Sequence, residues 1–334
     1  MSARALLGSL LLAIAAAAAP LCQAADAGPG GLSERAAVIM PGAKDAMMLS
    51  ATRAGDRLVA VGDHGVVLLS DDDGKNFRQA HAVPTRATLT GVTFIDAREG
   101  WACGHWGVVL HTTDGGDTWA LQRDDLQSDR PLWTLWFKDA RHGLAAGLWG
   151  MVLRTEDGGA HWDGVPLPPT GGKSKPSDLN LLALFPGPQG SLLIAAEHGT
   201  VFRSDDEGLH WTELQTGNAG TFWAGATLKS GTVLVAGLRG HVFRSEDGGK
   251  HWAEVQTGNK SSITGLTELP DGRVIGVGLD GVALQSLDDG RSFSVTTRPD
   301  RDELTAVTSN RRGKPIAFSD HGPISLGDTA PANH

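Results

Sequence analysis

The chain has 334 residues, with 29 Lys and Arg against 38 Asp and Glu, and a net charge of −9. That balance argues against nucleic acid or an anionic membrane surface as a partner. With 45 glycines, 10 tryptophans and no tyrosine, the composition fits short strands and tight turns, and it excludes any chemistry that needs a tyrosine nucleophile.

Residues 1–24 read as a secretion signal. Arg4 gives a positive start, residues 5–19 are an apolar run, and Cys22, Gln23 and Ala24 offer small residues before a cut. The run is short for a membrane span, which needs ~20 residues. Leu21 stands where a lipoprotein signal carries a small residue before its cysteine. The expectation is a periplasmic, monomeric protein cleaved near Ala24, with no transmembrane segment in its mature part. Residues 25–34 form a linker, 35–328 one domain and 329–334 a tail. Cleavage leaves Cys103 alone, within the apolar run Trp101, Ala102, Cys103, Gly104, where a small core residue is expected rather than a reactive thiol.

Beyond the signal, apolar runs of four to six residues alternate with turn signals, an all-β pattern. One turn signature returns six times: Ser or Thr, then Asp two residues on, Gly two further, and an aromatic three beyond that. Its aspartates are Asp72, Asp114, Asp157, Asp206, Asp247 and Asp288, at intervals of 41 to 49 residues. Each Asp accepts backbone N–H groups across a tight turn, and each Gly supplies the positive φ. A unit of this size cannot bury its own faces, so copies must stack. The longest interval holds an exposed insertion, residues 166–178. A seventh unit is partial and lacks a fourth strand, which residues 36–40 would supply from the other end of the chain. The predicted architecture is a seven-bladed β-propeller with these turns, closed by the N-terminal strand.

The signature is the Asp-box of the BNR-repeat proteins. Residues 94–119, with Gly100, Trp101, Ala102, Gly104, Gly107, Asp114, Gly116 and Trp119 in register, resemble the photosystem II stability and assembly factor family, and the third unit repeats the pattern from Phe137 to Trp162. That resemblance implies a non-enzymatic propeller that holds another protein, in phototrophs a photosystem II core subunit, during assembly of a membrane complex. It also implies an arginine patch, for which Arg154, Arg203 and Arg244 stand at one place in three consecutive units, with His111 in the unit before. The same arginines would alternatively pair with Glu156, Asp205 and Glu246.

The six box aspartates lack the spaced ligands and closing Glu of a calcium loop, so they are assigned to structure and no metal or cofactor is expected. Sialidases are Asp-box propellers, but their Tyr nucleophile is missing. A two-carboxylate glycosidase would draw on Glu99, Asp139, Glu197 and Asp280, and a carbohydrate-processing or carbohydrate-binding propeller is the competing function. The turns between second and third strands all fall on one face. There His105, Trp106, Trp149 and Arg239 exceed what a turn needs and are candidates for partner binding. Two of these turns carry Asp63 with His64 and Asp320 with His321, a pairing that would hold zinc only with a third ligand.

Overall fold

The computed structural model describes residues 35–172 and 174–326. The expected signal on residues 1–24 and the tail at 329–334 lie outside the described residues. The strands form seven antiparallel sheets, six of four strands and one of three, each taking consecutive segments of the chain. The blades span residues 48–79, 89–123, 132–164, 181–215, 222–255, 263–297 and 304–325. No α-helix occurs among the described residues; only single turns of 3-10 helix interrupt the strands. This is the seven-bladed all-β ring expected.

The second strand of each blade explains why glycine and alanine crowd the repeat. Gly100–Gly104, Gly143–Gly147 and Val233–Gly237 are buried along their whole length, since each is covered by a neighbouring blade on both sides. At Gly100 and Gly143 an added Cβ would fall 2.5 Å from the rings of Phe94 and Phe137. Between blades the cores are continuous: Trp101 of blade 2 stacks on Phe137 of blade 3 with ring centres 3.7 Å apart. The insertion at 166–178 is less exposed than expected. Gly171 and Gly172 are exposed, but Leu167, Thr170 and Ser177 are buried.

The Asp-boxes are turn staples. In blade 2, Thr112 Oγ1 donates to Asp114 Oδ1 at 2.9 Å, and that oxygen accepts the Thr118 N–H at 3.0 Å. Gly116 N–H closes the turn on Thr112 Oγ1 at 3.0 Å. In blades 3 and 4 the residue four beyond the Asp is a histidine. The backbone N–H of His161 and of His210 is the largest influence holding Asp157 and Asp206 down to about 2.

The ring closes between blades 7 and 1, but not by the ladder expected. Residues 36–40 do not join blade 7, whose sheet keeps three strands among the described residues. They run beside the outer edge of blade 1 instead. Ala37 N–H donates to Val83 O at 2.8 Å, Gln79 Nε2 donates to Val38 O at 2.9 Å, and Met40 N–H donates to Gln79 Oε1 at 3.1 Å. Two features favour that path. The Gln79 amide offers a donor and an acceptor together, whereas Pro323, in the outermost strand of blade 7, has no N–H to give a ladder. The N-terminal strand Met48–Ala54 closes the ring through its face. Met48, Leu58 and Leu68 share one buried cluster with Ala306, Ile316 and Phe318 of blade 7.

Candidate partner-binding site

Antiparallel order puts the turns between second and third strands at one end of every blade and the Asp-boxes at the other. The inner strands line the axis, and each carries the same irregularity: the register slips by one residue after the strand's first. The skipped residues are Leu49, Thr90, Trp133, Leu182, Trp223, Thr264 and Thr305. A bulge re-aims its extra residue, and here six of the seven line a funnel of about 540 Å3 at the axis, all but Thr90. Leu148 of the blade 3 turn lines it too, so the funnel opens on the turn face.

The bulge residues are of two kinds. Thr90, Thr264 and Thr305 send their hydroxyls to the next blade, Thr90 Oγ1 to Leu132 O at 2.8 Å, Thr264 Oγ1 to Leu304 O at 2.6 Å and Thr305 Oγ1 to Met48 O. A threonine at the bulge therefore serves the ring. Blades 1, 3, 4 and 5 carry Leu49, Trp133, Leu182 and Trp223 there, which cannot make that bond. They give the funnel an apolar wall, and the two half-buried indoles are its largest groups. The one charged residue lining the funnel is Glu197, whose carboxylate accepts the Asn180 N–H at 2.9 Å and Asn180 Nδ2 at 3.0 Å.

The residues singled out from sequence fall in different places. Trp149 stands on the turn face, 53 % exposed, in the left-handed region at φ 55°. Trp106 occupies the equivalent place in blade 2 at φ 53° but is half-buried against the core between blades 1 and 2. The rings of His105 and Trp106 lie near perpendicular with centres 6.5 Å apart, and Arg239 is exposed on blade 5. The exposed aromatic pair inferred from the turns is thus one exposed indole and one packed one.

The arginines lie on the opposite face, and they are engaged. Arg203 Nη2 donates to Asp205 Oδ1 at 2.6 Å and Nη1 to Gly248 O of blade 5 at 2.7 Å. Arg244 reaches Glu246 Oε1 at 2.6 Å and Asp289 Oδ2 of blade 6 at 2.7 Å. Arg154 pairs with Glu156 and donates to Glu207 O of blade 4 at 3.3 Å. Their side chains are only 14, 16 and 10 % exposed. Each ties one blade's box to the next. His111, at the same place in blade 2, stacks on Trp101 and has Nε2 3.1 Å from Glu99 Oε1.

The four carboxylates considered for glycoside chemistry divide between the faces, Glu99 and Asp139 on the box side, Glu197 and Asp280 on the turn side. Asp139 is held down to about 2, first by the Arg141 N–H, which suits a staple and not a proton donor. Cys103 is fully buried, and burial pushes its thiol up to about 12. Near the last turn, Asp302, Asp320 and His321 bring ligand atoms within 4.8 Å of one another. The third group beside Asp320 and His321 is therefore Asp302, not the Asp63 and His64 pair.

Fold and turns define the class, a seven-bladed Asp-box β-propeller. The model of the family described as photosynthesis system II assembly factor YCF48 matches residues 79–232, and the resemblance read from residues 94–119 to the photosystem II stability and assembly factor family holds. A solved structure described as YCF48 bound to D1 peptide superposes with a TM-score of 0.69 at 16 % identity, covering 86 % of this chain and 94 % of that one. YCF48 from Cyanidioschyzon merolae gives 0.67 at 14 % identity, covering 86 % and 96 %. A streptogramin B lyase gives 0.59 at 13 %, covering 69 % and 76 %. At such identities likeness fixes the fold and leaves the chemistry open. Comparison with curated proteins gives no match.

Proposed function

We propose that this chain is a non-enzymatic, exported propeller that holds a segment of another protein at the mouth of its axis, as an assembly factor for a membrane protein complex. The observation that carries the reading is the bulge-built funnel. Four of seven bulges replace a ring-serving threonine with Leu or Trp, and side chains that do nothing for closure form an apolar pocket of binding-site size (about 540 Å3). The family resemblance supports a protein as the occupant, and the structurally similar YCF48 is described in complex with a D1 peptide. Export rests on residues 1–24 of the sequence.

Threonine at a bulge is a substitution the fold already accepts in three blades. The variant Trp133→Thr with Trp223→Thr is expected to fold and to lose co-purification of membrane-protein subunits from solubilised host membranes. Undiminished capture of the same subunits would overturn the reading. So would Trp149-dependent binding on a glycan array, which would favour the carbohydrate alternative.

A further inference from the structure

The mouth is chemically lopsided. Most of its apolar wall comes from blades 3 to 5, through Trp133, Leu148, Leu182 and Trp223, with Leu49 added from blade 1. Across the axis, blades 6 and 7 bring carboxylates together. Asp280 N–H donates to Glu303 Oε2 at 3.2 Å, Asp320 N–H donates to Glu303 O at 3.2 Å, and Asp302 lies in contact range of Asp320. Glu303 stands two residues before the funnel-lining Thr305, at the entry to the inner strand. Blade 1 continues the arc with Asp63. The cations nearby are fewer than the carboxylates: Arg298 is paired with Asp300, His321 Nδ1 lies 2.9 Å from Asp320 Oδ1, and Arg239, Lys260 and Arg301 stand exposed. Glu197 adds a carboxylate on the apolar side.

A partner that satisfies both halves must offer apolar side chains to the indoles and positive charge to the arc. Resting on the assignment of the mouth as the docking site, we infer that the segment held there is a cationic, apolar-anchored stretch of polypeptide, with Lys or Arg flanking a short run of large apolar residues. The net charge of −9 draws such a segment in from a distance, and the carboxylate arc fixes its direction across the mouth. An acidic segment would meet repulsion from Asp280, Asp302, Glu303 and Asp320 together. The turn face thus selects the opposite sign of partner from the one a surface of free arginines would take.

The test uses two synthetic peptides with the same Leu- and Phe-containing centre, one flanked by Lys and the other by Glu, titrated into the mature chain. The Lys-flanked peptide is expected to bind about tenfold more tightly, an advantage that shrinks as ionic strength rises. Asp280→Asn with Glu303→Gln should narrow the difference. These changes keep Asn at a left-handed position it tolerates and keep an acceptor for the residue 280 N–H. Equal or tighter binding of the Glu-flanked peptide, lost in Trp133→Thr with Trp223→Thr, would overturn the charge inference and leave the docking site standing. Binding of either peptide unaffected by the tryptophan changes would overturn the docking site itself.

Discussion

Arg311 of the last blade places Nε 2.7 Å from Asp73 Oδ1 in the first blade's Asp-box, across the seam of the ring. Asn310 Nδ2 also donates to Asp73 O at 3.3 Å. The guanidinium beside it holds the Asp73 carboxyl below the ordinary range. The seam is thus fastened by a pair between residues 238 apart as well as by the apolar cluster beneath it. Removing Arg311 leaves a nearly buried carboxylate without its main partner. Arg311→Ala should therefore lower the melting temperature by a few degrees at pH 7 and by much less once the pH has fallen through Asp73's own depressed value, below the 3.8 of an ordinary Asp. An equal loss at both pH values would show that Asp73 plays no part.

The six boxes predict how the protein fails in acid. Asp157 and Asp206 are held at about 2, against 3.8 for an ordinary Asp. A depressed carboxyl stabilises the fold fully above the unfolded value and loses that contribution as pH falls toward the folded one. Stability should be level at neutral pH and drop between about pH 4 and 2, with several boxes contributing in parallel. Asp157→Asn with Asp206→Asn should lower stability at pH 7 and flatten that acid limb, read from melting curves across the range. An unchanged limb would put the acid sensitivity elsewhere.

Not all box tryptophans are equivalent. Trp119 and Trp211 are buried and donate Nε1–H to Gly116 O and Gly208 O at 2.8 and 3.1 Å. The indole nitrogens of Trp162 and Trp252 are buried without a partner, and the boxes of blades 1 and 6 carry Phe77 and Phe293 at this place. Replacing an unsatisfied donor with an apolar ring costs little. Trp162→Phe and Trp252→Phe should be neutral or mildly stabilising, whereas Trp119→Phe and Trp211→Phe should each cost about 1–2 kcal/mol. Denaturant unfolding of the four variants checks the ordering, and a uniform loss would refute it.

What the sequence revealed follows the range of the interaction. The boxes were legible because an Asp bonding to residues three and four places on is local chemistry, and six copies at blade spacing give the ring. Closure was not legible from residues 36–40, because whether a strand joins one edge or another depends on partners such as Gln79 and Pro323 far along the chain. The place of Arg203 was visible, but its bond to Gly248 O was not, since that acceptor is 45 residues away. The funnel was missed although a signal existed. One residue after the start of each inner strand the chain reads Leu, Thr, Trp, Leu, Trp, Thr, Thr, and the two tryptophans stand out only when the repeats are aligned on that position rather than on the boxes.

The inter-blade arginines supply the last prediction. Arg244 is the most enclosed, with its guanidinium shared between Glu246 and Asp289 and a further bond from Nη2 to Thr232 Oγ1 at 3.2 Å. Glutamine is too short to bridge two blades and carries no charge. Arg154→Gln, Arg203→Gln and Arg244→Gln should each destabilise, Arg244→Gln most, by about 1–2 kcal/mol given that its partners are partly solvated. The triple variant should melt well below the parent and retain whatever fraction of partner capture its folded population allows. Melting curves beside capture at a temperature where the variant is folded separate the two roles. A triple variant of undiminished stability that loses capture would make the arginines a docking surface, and the turn-face funnel would then have to yield its place to the box face.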